Sequence, residues 1–257
     1  MARALAEAVA ASSLGELCWV AESGSPEVAG VVALTRDDVP VIAFTYAEEA
    51  TARAASRSAR LVLALSESRS TGSSYEPLLI AGPPRLVEDP AGEVYVSDLV
   101  VQELRRYPPA RLYADSPLLM REHWWYLPRL LVEIDVDSVR PFVARTPRHG
   151  HLLVVADGTT PVVRVASVVD DARGRLELEV VGGSAPRGPA VLFGQDASFP
   201  DLERWAQWSY RGRWDGTHFL VEDAPARTGL GRPPGLLARW RRQRALERRC
   251  VAAITRR

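Results

Sequence analysis

The chain of 257 residues contains no lysine, so all 32 of its basic residues are arginine. That absence excludes Schiff-base chemistry on lysine, a phosphate-loop lysine and a lysine general base, and with them aldolase-type, pyridoxal-phosphate-lysine and Walker-type mechanisms. Cysteine is nearly as scarce. Cys18 and Cys250 are too few and too far apart in sequence for a metal cluster, and both are expected to be reduced, buried, small apolar side chains. Neither sign of charge is in excess, with 32 acidic residues against 32 basic ones, so no global field argues for nucleic acid or an acidic membrane surface. No run approaches the roughly 18 uncharged apolar residues of a membrane span. The first twenty residues hold one early arginine and an apolar run broken by Glu7, a poor secretory signal. A cytoplasmic protein is expected, and the Arg- and Ala-rich composition fits a GC-rich bacterial genome.

What is present is a run of short apolar segments at residues 28–87 with one helix-like interruption. Residues 29–35 and 39–46 read as a hairpin around the polar turn Arg36-Asp37-Asp38, because β-branched and aromatic residues flank it. Between Tyr46 and Arg60 acids in a first turn precede an Ala-rich stretch, which predicts a small helix. Strands follow at 60–67 and 77–88, separated by a Ser/Gly-rich loop. A helix is expected at 91–106, a shorter one at 115–123, and a last strand at 130–137 after Trp124-Trp125-Tyr126-Leu127-Pro128. The proline-punctuated basic stretch 140–149 marks a boundary, which divides the chain into 1–145 and 146–257.

The second half begins like the first. Segments 151–156 and 161–166, joined by Asp157-Gly158-Thr159-Thr160, match the hairpin at 31–44; Ala190–Phe193 resembles Leu61–Ala64, and Gly212 falls over Gly82. The strand Arg175–Val181 stands where the small helix stood, so the duplication is divergent, and a helix at 234–254 closes the chain.

The order hairpin, small helix, strand, loop, strand, helix, strand resembles the pyridoxamine 5'-phosphate oxidase-like, FMN-binding split-barrel superfamily. The resemblance covers residues 15–142 and rests on Gly30–Leu34 followed by Val39–Tyr46, Arg60–Leu65, Ile80-Ala81-Gly82 with Arg85–Asp89, and Tyr126–Leu130. It implies a mainly β fold with peripheral helices (α+β): a six-stranded Greek-key split barrel, followed here by a second, divergent barrel-like domain. It also implies FMN, a deazaflavin or haem in the groove between two barrels, supplied by a homodimer or by an intramolecular pseudo-dimer.

Carried over residue by residue, the phosphate grip after the hairpin falls on Thr45, Tyr46, Thr51 and Arg53, where arginine offers a bidentate fork and Glu48 and Glu49 oppose an anion. The loop after the next strand offers Ser66, Ser68 and Arg69 as a second grip, since small hydroxyl residues can present backbone N–H groups to an anion. Trp124 would supply stacking area for a ring system. No metal site is expected, because no Cys, Asp or Glu lies at ligand spacing around His149 and His151. No nucleophile elbow, dinucleotide turn or carboxylate constellation occurs, so no catalytic residue is nominated. The basic tail at 236–249 is expected to be a terminal helix docked by the stripe Leu236, Trp240, Leu246, Cys250 and Ile254, with its arginines in water; neither nucleic acid nor membrane is an expected partner. Two functions follow from the resemblance: a flavin- or deazaflavin-dependent oxidoreductase moving a hydride to or from a small organic substrate, or a non-catalytic ligand- or haem-binding split-barrel protein.

Overall fold

A computed structural model describes residues 2–67, 69, 76–146, 150–172 and 174–256. After α1 (Ala2–Ala11), the chain forms β1 (Gly15–Val20), β2 (Pro26–Val31), β3 (Ala33–Arg36) and β4 (Val39–Thr45). The β3–β4 hairpin turns at Asp37 and Asp38, both with positive φ, which acidic residues tolerate and which matches the twist of the paired strands. A short 3₁₀ turn (Tyr46–Glu48) leads into α2 (Glu49–Arg57), whose Ala52 and Ala55 are buried. Then come β5 (Leu61–Leu65), β6 (Leu78–Gly82) and β7 (Pro84–Asp89). The expected helix at 91–106 opens with a π turn (Tyr95–Leu99) before α3 (Val100–Arg106), and α4 (Arg111–Ala114) and α5 (Pro117–Glu122) complete a helical insertion. The first half closes with β8 (Arg129–Ile134) and β9 (Ser138–Pro141).

Two sheets result, ordered β2-β1-β5-β6-β9 and β3-β4-β8-β7. They share three strands that bend between them: β2 runs into β3 at Val32, β6 into β7 at Pro83, and β8 into β9 at 135–137. Counting each bent pair once gives six strands around one barrel, the split barrel expected from sequence.

The second half holds β10 (His151–Asp157), β11 (Thr160–Ala172), β12 (Arg175–Val181), β13 (Gly188–Ala197), β14 (Trp205–Trp214) and β15 (His218–Asp223). They close in the order β10-β11-β12-β15-β14-β13. Strand for strand this is the order of the first barrel, with β10 answering β1, the long bulged β11 answering β2 and β3, and β14 answering β6 and β7. One expectation is thereby corrected. The strand Arg175–Val181 does not replace the small helix; it is the counterpart of β4, and the hairpin β10–β11 answers β1 with β2 rather than β3 with β4. The place of α2 is taken by the turn 182–187, and that of the helical insertion by the turn 215–217, so the two barrels differ in the helices between matching strands.

Strand β5 is buried along its whole length, which one barrel alone cannot explain, since a barrel strand shows one face outward. Leu61, Leu63 and Leu65 point into the first core. Val62 and Ala64 point out and pack with Cys18, Leu79 and Ala81 against Leu152, Val154, Val163 and Val165 of the second barrel. Likewise Leu153 and Val155 fill the second barrel's interior. The two barrels are thus joined through an apolar layer.

The closing helix α6 (Leu236–Thr255) returns to the first barrel, where Cys250 and Ala253 are buried in its two apolar clusters. The docked stripe expected for it is present only in its second half. Leu236 is 85% and Trp240 55% exposed, because the first two turns extend beyond the surface that receives Leu246, Cys250 and Ile254. Among the described residues no helix is long and apolar enough to cross a membrane.

Candidate functional site

A cleft of about 410 Å³ opens where β2 and β4, the helical insertion, α6 and the start of β14 meet. Its walls are largely apolar and aromatic, with Phe44 from β4, Tyr107 and Tyr113 from the insertion, and Trp205 from the second barrel. Tyr107 and Trp205 meet edge to face across it at 6.0 Å between ring centroids, a favourable aromatic geometry. The volume suits a planar ring system of modest size.

The polar groups in the cleft are few and mostly acidic. Glu48 sits at the third position after Thr45 and takes hydrogen bonds from the Thr45 hydroxyl (3.0 Å) and backbone N–H (3.4 Å), the reciprocal arrangement by which a helix start satisfies its donors. Glu103 accepts a 2.6 Å hydrogen bond from the Tyr126 hydroxyl. Behind this pair lies Arg129, fully buried, its guanidinium 3.8 Å from the Tyr95 ring centre and 4.3 Å from that of Tyr126, with Nη2 3.6 Å from Glu103. The cation is held between two aromatic faces and a carboxylate, while its Nε and Nη2 meet no hydrogen-bond acceptor among the described residues. Arg249 is the arginine that lines the cleft itself, and it donates to the Ala47 carbonyl.

This setting fixes the protonation of the phenols. Burial and the nearby Glu103 push the Tyr126 hydroxyl well above its ordinary value, and burial pushes Tyr107 up to about 12. Both remain neutral donors. Burial also raises the Cys250 thiol, so no thiolate forms beside the cleft. Among the described residues there is no nucleophile paired with a base at this site, and no group of three metal ligands anywhere.

The cleft continues past Gly30, Phe44 and Glu48 into a second groove of about 510 Å³ that includes Trp19, Thr51 and Gln207. Gln207 crosses from the second barrel and grips the edge of β2, accepting from Gly30 N (3.0 Å) and donating to Gly30 O (3.2 Å). A side chain at Gly30 would meet the ends of Gln207 and Gln195 and displace this grip. Four residues further along β14, Arg211 forms a two-pronged pair with Glu27.

The residues marked from sequence divide between these places. Thr45 lines the cleft and Thr51 the adjoining groove. Tyr46 is buried in the first core. Arg53 faces away, paired with Glu49 at 2.8 Å and Glu88 at 2.9 Å. Ser66 is buried and donates to Glu16 at 2.9 Å. Arg69 is held by Glu67 at 2.9 Å and Asp196 at 2.8 Å, its guanidinium 4.6 Å from the centre of the Phe199 ring. Trp124 is half-exposed outside the cleft, whereas its neighbours Trp125 and Tyr126 are buried beside Tyr113. Ser68 lies outside the described residues.

Ser66 and Arg69 belong instead to the joint between barrels. There Glu16 accepts from Ser66, from Arg145 Nε (3.0 Å) and from Gln195 (2.7 Å), and Arg145 also reaches Glu67 at 3.2 Å. Burial pushes the Glu16 carboxyl up, against the pull of Arg145 and of its two side-chain donors. Gln195 in turn accepts from Trp205 Nε1 at 2.9 Å, which ties the joint to the cleft wall.

Glu103, Tyr107, Tyr113 and Arg249 were not singled out from sequence. A signal existed for Glu103, an acid three residues after Val100 on the face of a helix that turns inward. Arg249 shared its helix with too many other arginines to stand out.

The arginines proposed from sequence do not supply a grip for the phosphate of a flavin mononucleotide in this cleft. Both arginines proposed for it are bound to carboxylates outside the cleft, and the cleft's own Arg249 shares the lining with Glu48 and Glu103. Nor do the residues present fit an iron-ligating haem site, since no histidine lines the cleft among the described residues and Tyr107 is held protonated.

The chain matches no protein-family description and no curated protein. Among solved structures it is similar to a protein of unknown function from Agrobacterium tumefaciens, with 20% identity over 54% of each chain and a TM-score of 0.37. The chain thus spans about half the length of that relative. It is also similar to a pyridoxamine 5'-phosphate oxidase-related, FMN-binding protein from Nostoc punctiforme (15% identity, 71% of this chain and 91% of that one, TM-score 0.32). A haem-binding protein from Mycobacterium smegmatis aligns over 99% of this chain and 98% of its own, at 13% identity and a TM-score of 0.34. The split barrel and its repeat follow from the strand pairings above and not from these likenesses.

Proposed function

We propose that the protein is a non-catalytic, ligand-binding split-barrel protein whose cleft takes a planar, apolar ring system that carries no phosphate. One observation carries this reading: an aromatic cleft closed on one side by Trp205 of the second barrel holds two carboxylates, while both candidate phosphate-gripping arginines are engaged elsewhere. Neutral tyrosines and the Glu48 and Glu103 carboxylates suit a ligand that presents N–H or O–H donors at its edge.

A second reading, a flavin- or deazaflavin-dependent oxidoreductase, is favoured by the continuation of the cleft into the groove with Thr51, which gives room for a polar tail beyond the ring. Comparing riboflavin with FMN separates the two, because the molecules differ only by the phosphate. Titrations followed by flavin fluorescence should give riboflavin an affinity at least equal to that of FMN, weakened about tenfold or more by Trp205→Ala. FMN binding about tenfold tighter than riboflavin, with the advantage lost in Arg53→Ala or Arg69→Ala, would replace the first reading by the second. Binding of neither flavin rejects a flavin as the ligand under either reading.

A further inference from the structure

The first two turns of α6 are exposed at every position from Leu236 to Arg242, although they carry three large apolar side chains. Leu236, Leu237 and Trp240 are 85%, 61% and 55% exposed. On a helix these three fall within one arc of about 100°, which makes an apolar patch at the tip of the helix. The patch does not end there. Gln243, one turn on, lies 3.3 Å from His123 Nε2, and His123 is followed directly by Trp124, itself 51% exposed. This contact brings the segment that carries Trp124 against α6 one turn beyond Trp240.

The charge around this patch is predominantly positive. Between residues 227 and 249 there are eight arginines and one acid, Glu247, in a chain whose total charge is zero. Some of these arginines have partners within the chain: Arg239 pairs with Glu203 and donates to Pro234 O, and Arg244 pairs with Glu247 while its guanidinium lies 5.7 Å from the Trp240 ring centre. Arg241 and Arg242 are exposed between them. Exposed tryptophan and leucine beside a dense positive field is the composition of a helix that lies in the headgroup layer of an anionic bilayer, where the rings and leucines enter the acyl boundary and the arginines meet lipid phosphates. Duplex nucleic acid would satisfy the arginines and leave the leucines in water. A docked helix with its stripe covered would offer no such surface, and it is the undocking of its first half that creates one.

We infer that the N-terminal half of α6, with Trp124 beside it, attaches the protein peripherally to membranes rich in anionic lipid. The cleft plays no part in this attachment, which stands or falls independently of the ligand.

Flotation of the full chain with vesicles tests it. Binding is expected to phosphatidylcholine vesicles containing phosphatidylglycerol, to be absent with phosphatidylcholine alone, and to weaken as salt screens the arginines. The double variant Leu236→Asp with Trp240→Asp should bind at least about tenfold more weakly. Arg241→Gln and Arg242→Gln should each cost about fivefold and flatten the salt dependence. All four positions are exposed, and circular dichroism checks that the variants fold. No flotation with anionic vesicles at low salt overturns the inference, as does flotation that the double variant leaves unchanged. A dimer that dissociates in the double variant, or duplex DNA binding, in the absence of vesicle binding assigns the surface to another partner and likewise overturns it.

Discussion

Gly82 and Gly212 stand at the same bend of the two barrels. A Cβ on Gly82 would collide with the carbonyl oxygen of Asp135, and one on Gly212 with the carbonyl oxygen of Leu220. In each barrel the bent strand crosses so close to the neighbouring strand's backbone that only hydrogen fits, and in the second the pairing register shifts between Arg211 and Gly212. Gly82→Ala and Gly212→Ala are each expected to lower stability by about 2 kcal/mol or more, since the obstacle is backbone and cannot rotate away. Urea unfolding measures this, with Gly231→Ala as a control at a site with open space around it. Equal midpoints for all three would show that the bends relax.

Arg145 is the cation on which the joint between barrels depends. It is 5% exposed and faces Glu16, which is fully buried, and Glu67, at 3%. Removing it leaves Glu16 enclosed without its counter-charge and Glu67 with Arg69 alone, so Arg145→Met should cost about 3–5 kcal/mol. Replacing the whole group by Arg145→Met with Glu16→Gln and Glu67→Gln should recover part of that loss, because no uncompensated charge remains. Thermal unfolding of the single and triple variants distinguishes a buried-charge penalty from a simple loss of packing, which the triple variant would not recover.

The strands were legible from the sequence as short apolar runs or, in β12, as alternation: β5, β8 and β12 appear close to where these patterns place them. The matching of the two halves was legible at Gly82 and Gly212, where backbone contact demands one residue type. It was not legible at the hairpins, since any apolar pair around a polar turn resembles any other, and the offset between β3–β4 and β10–β11 emerges only from pairing. The cleft was hidden for a different reason. Its walls come from residues as far apart as Gly30, Tyr107, Trp205 and Arg249, and nothing local marks an arginine as free or engaged. Arg53 and Arg69 look equally available in sequence, yet each is bound by two carboxylates.

That engagement of Arg69 has a measurable consequence. Hydrogen bonds from Arg69, with Arg145 nearby, hold the Glu67 carboxyl below its ordinary value despite burial. A carboxyl lowered in the folded state stabilises the fold above its unfolded pKa and loses that contribution as pH falls through the folded one. Arg69→Ala should therefore cost about 1 kcal/mol near neutrality, discounted because the guanidinium is 44% exposed. The difference from the parent should shrink as the solution is acidified. Riboflavin affinity should be unchanged, whereas a loss confined to flavin binding with no change in stability would return Arg69 to the ligand.

His151 sets a second and separable acid response. Its Nε2 accepts a hydrogen bond from Trp208 Nε1 at 3.3 Å, which requires that nitrogen to be unprotonated. Burial, and then the charge of Arg145, push its pKa down to about 4. The unfolded chain takes up this proton first, near the ordinary histidine value of about 6.5, so the stabilising difference is fully present above that pH. It declines as pH falls from there toward 4, by an amount on the order of 2 kcal/mol. His151→Gln keeps an acceptor for Trp208 but removes the titrating group. Its urea midpoint should follow that of the parent in parallel above about pH 7, and then fall less steeply than the parent's between about pH 6 and pH 4.5. Because the variant retains the Arg145 cluster, the acid response of Glu67 is common to both proteins and cancels in the difference. Parallel curves over the whole range would mean that His151 gains its proton in the folded state as readily as in the unfolded one, and that Trp208 does not hold it neutral.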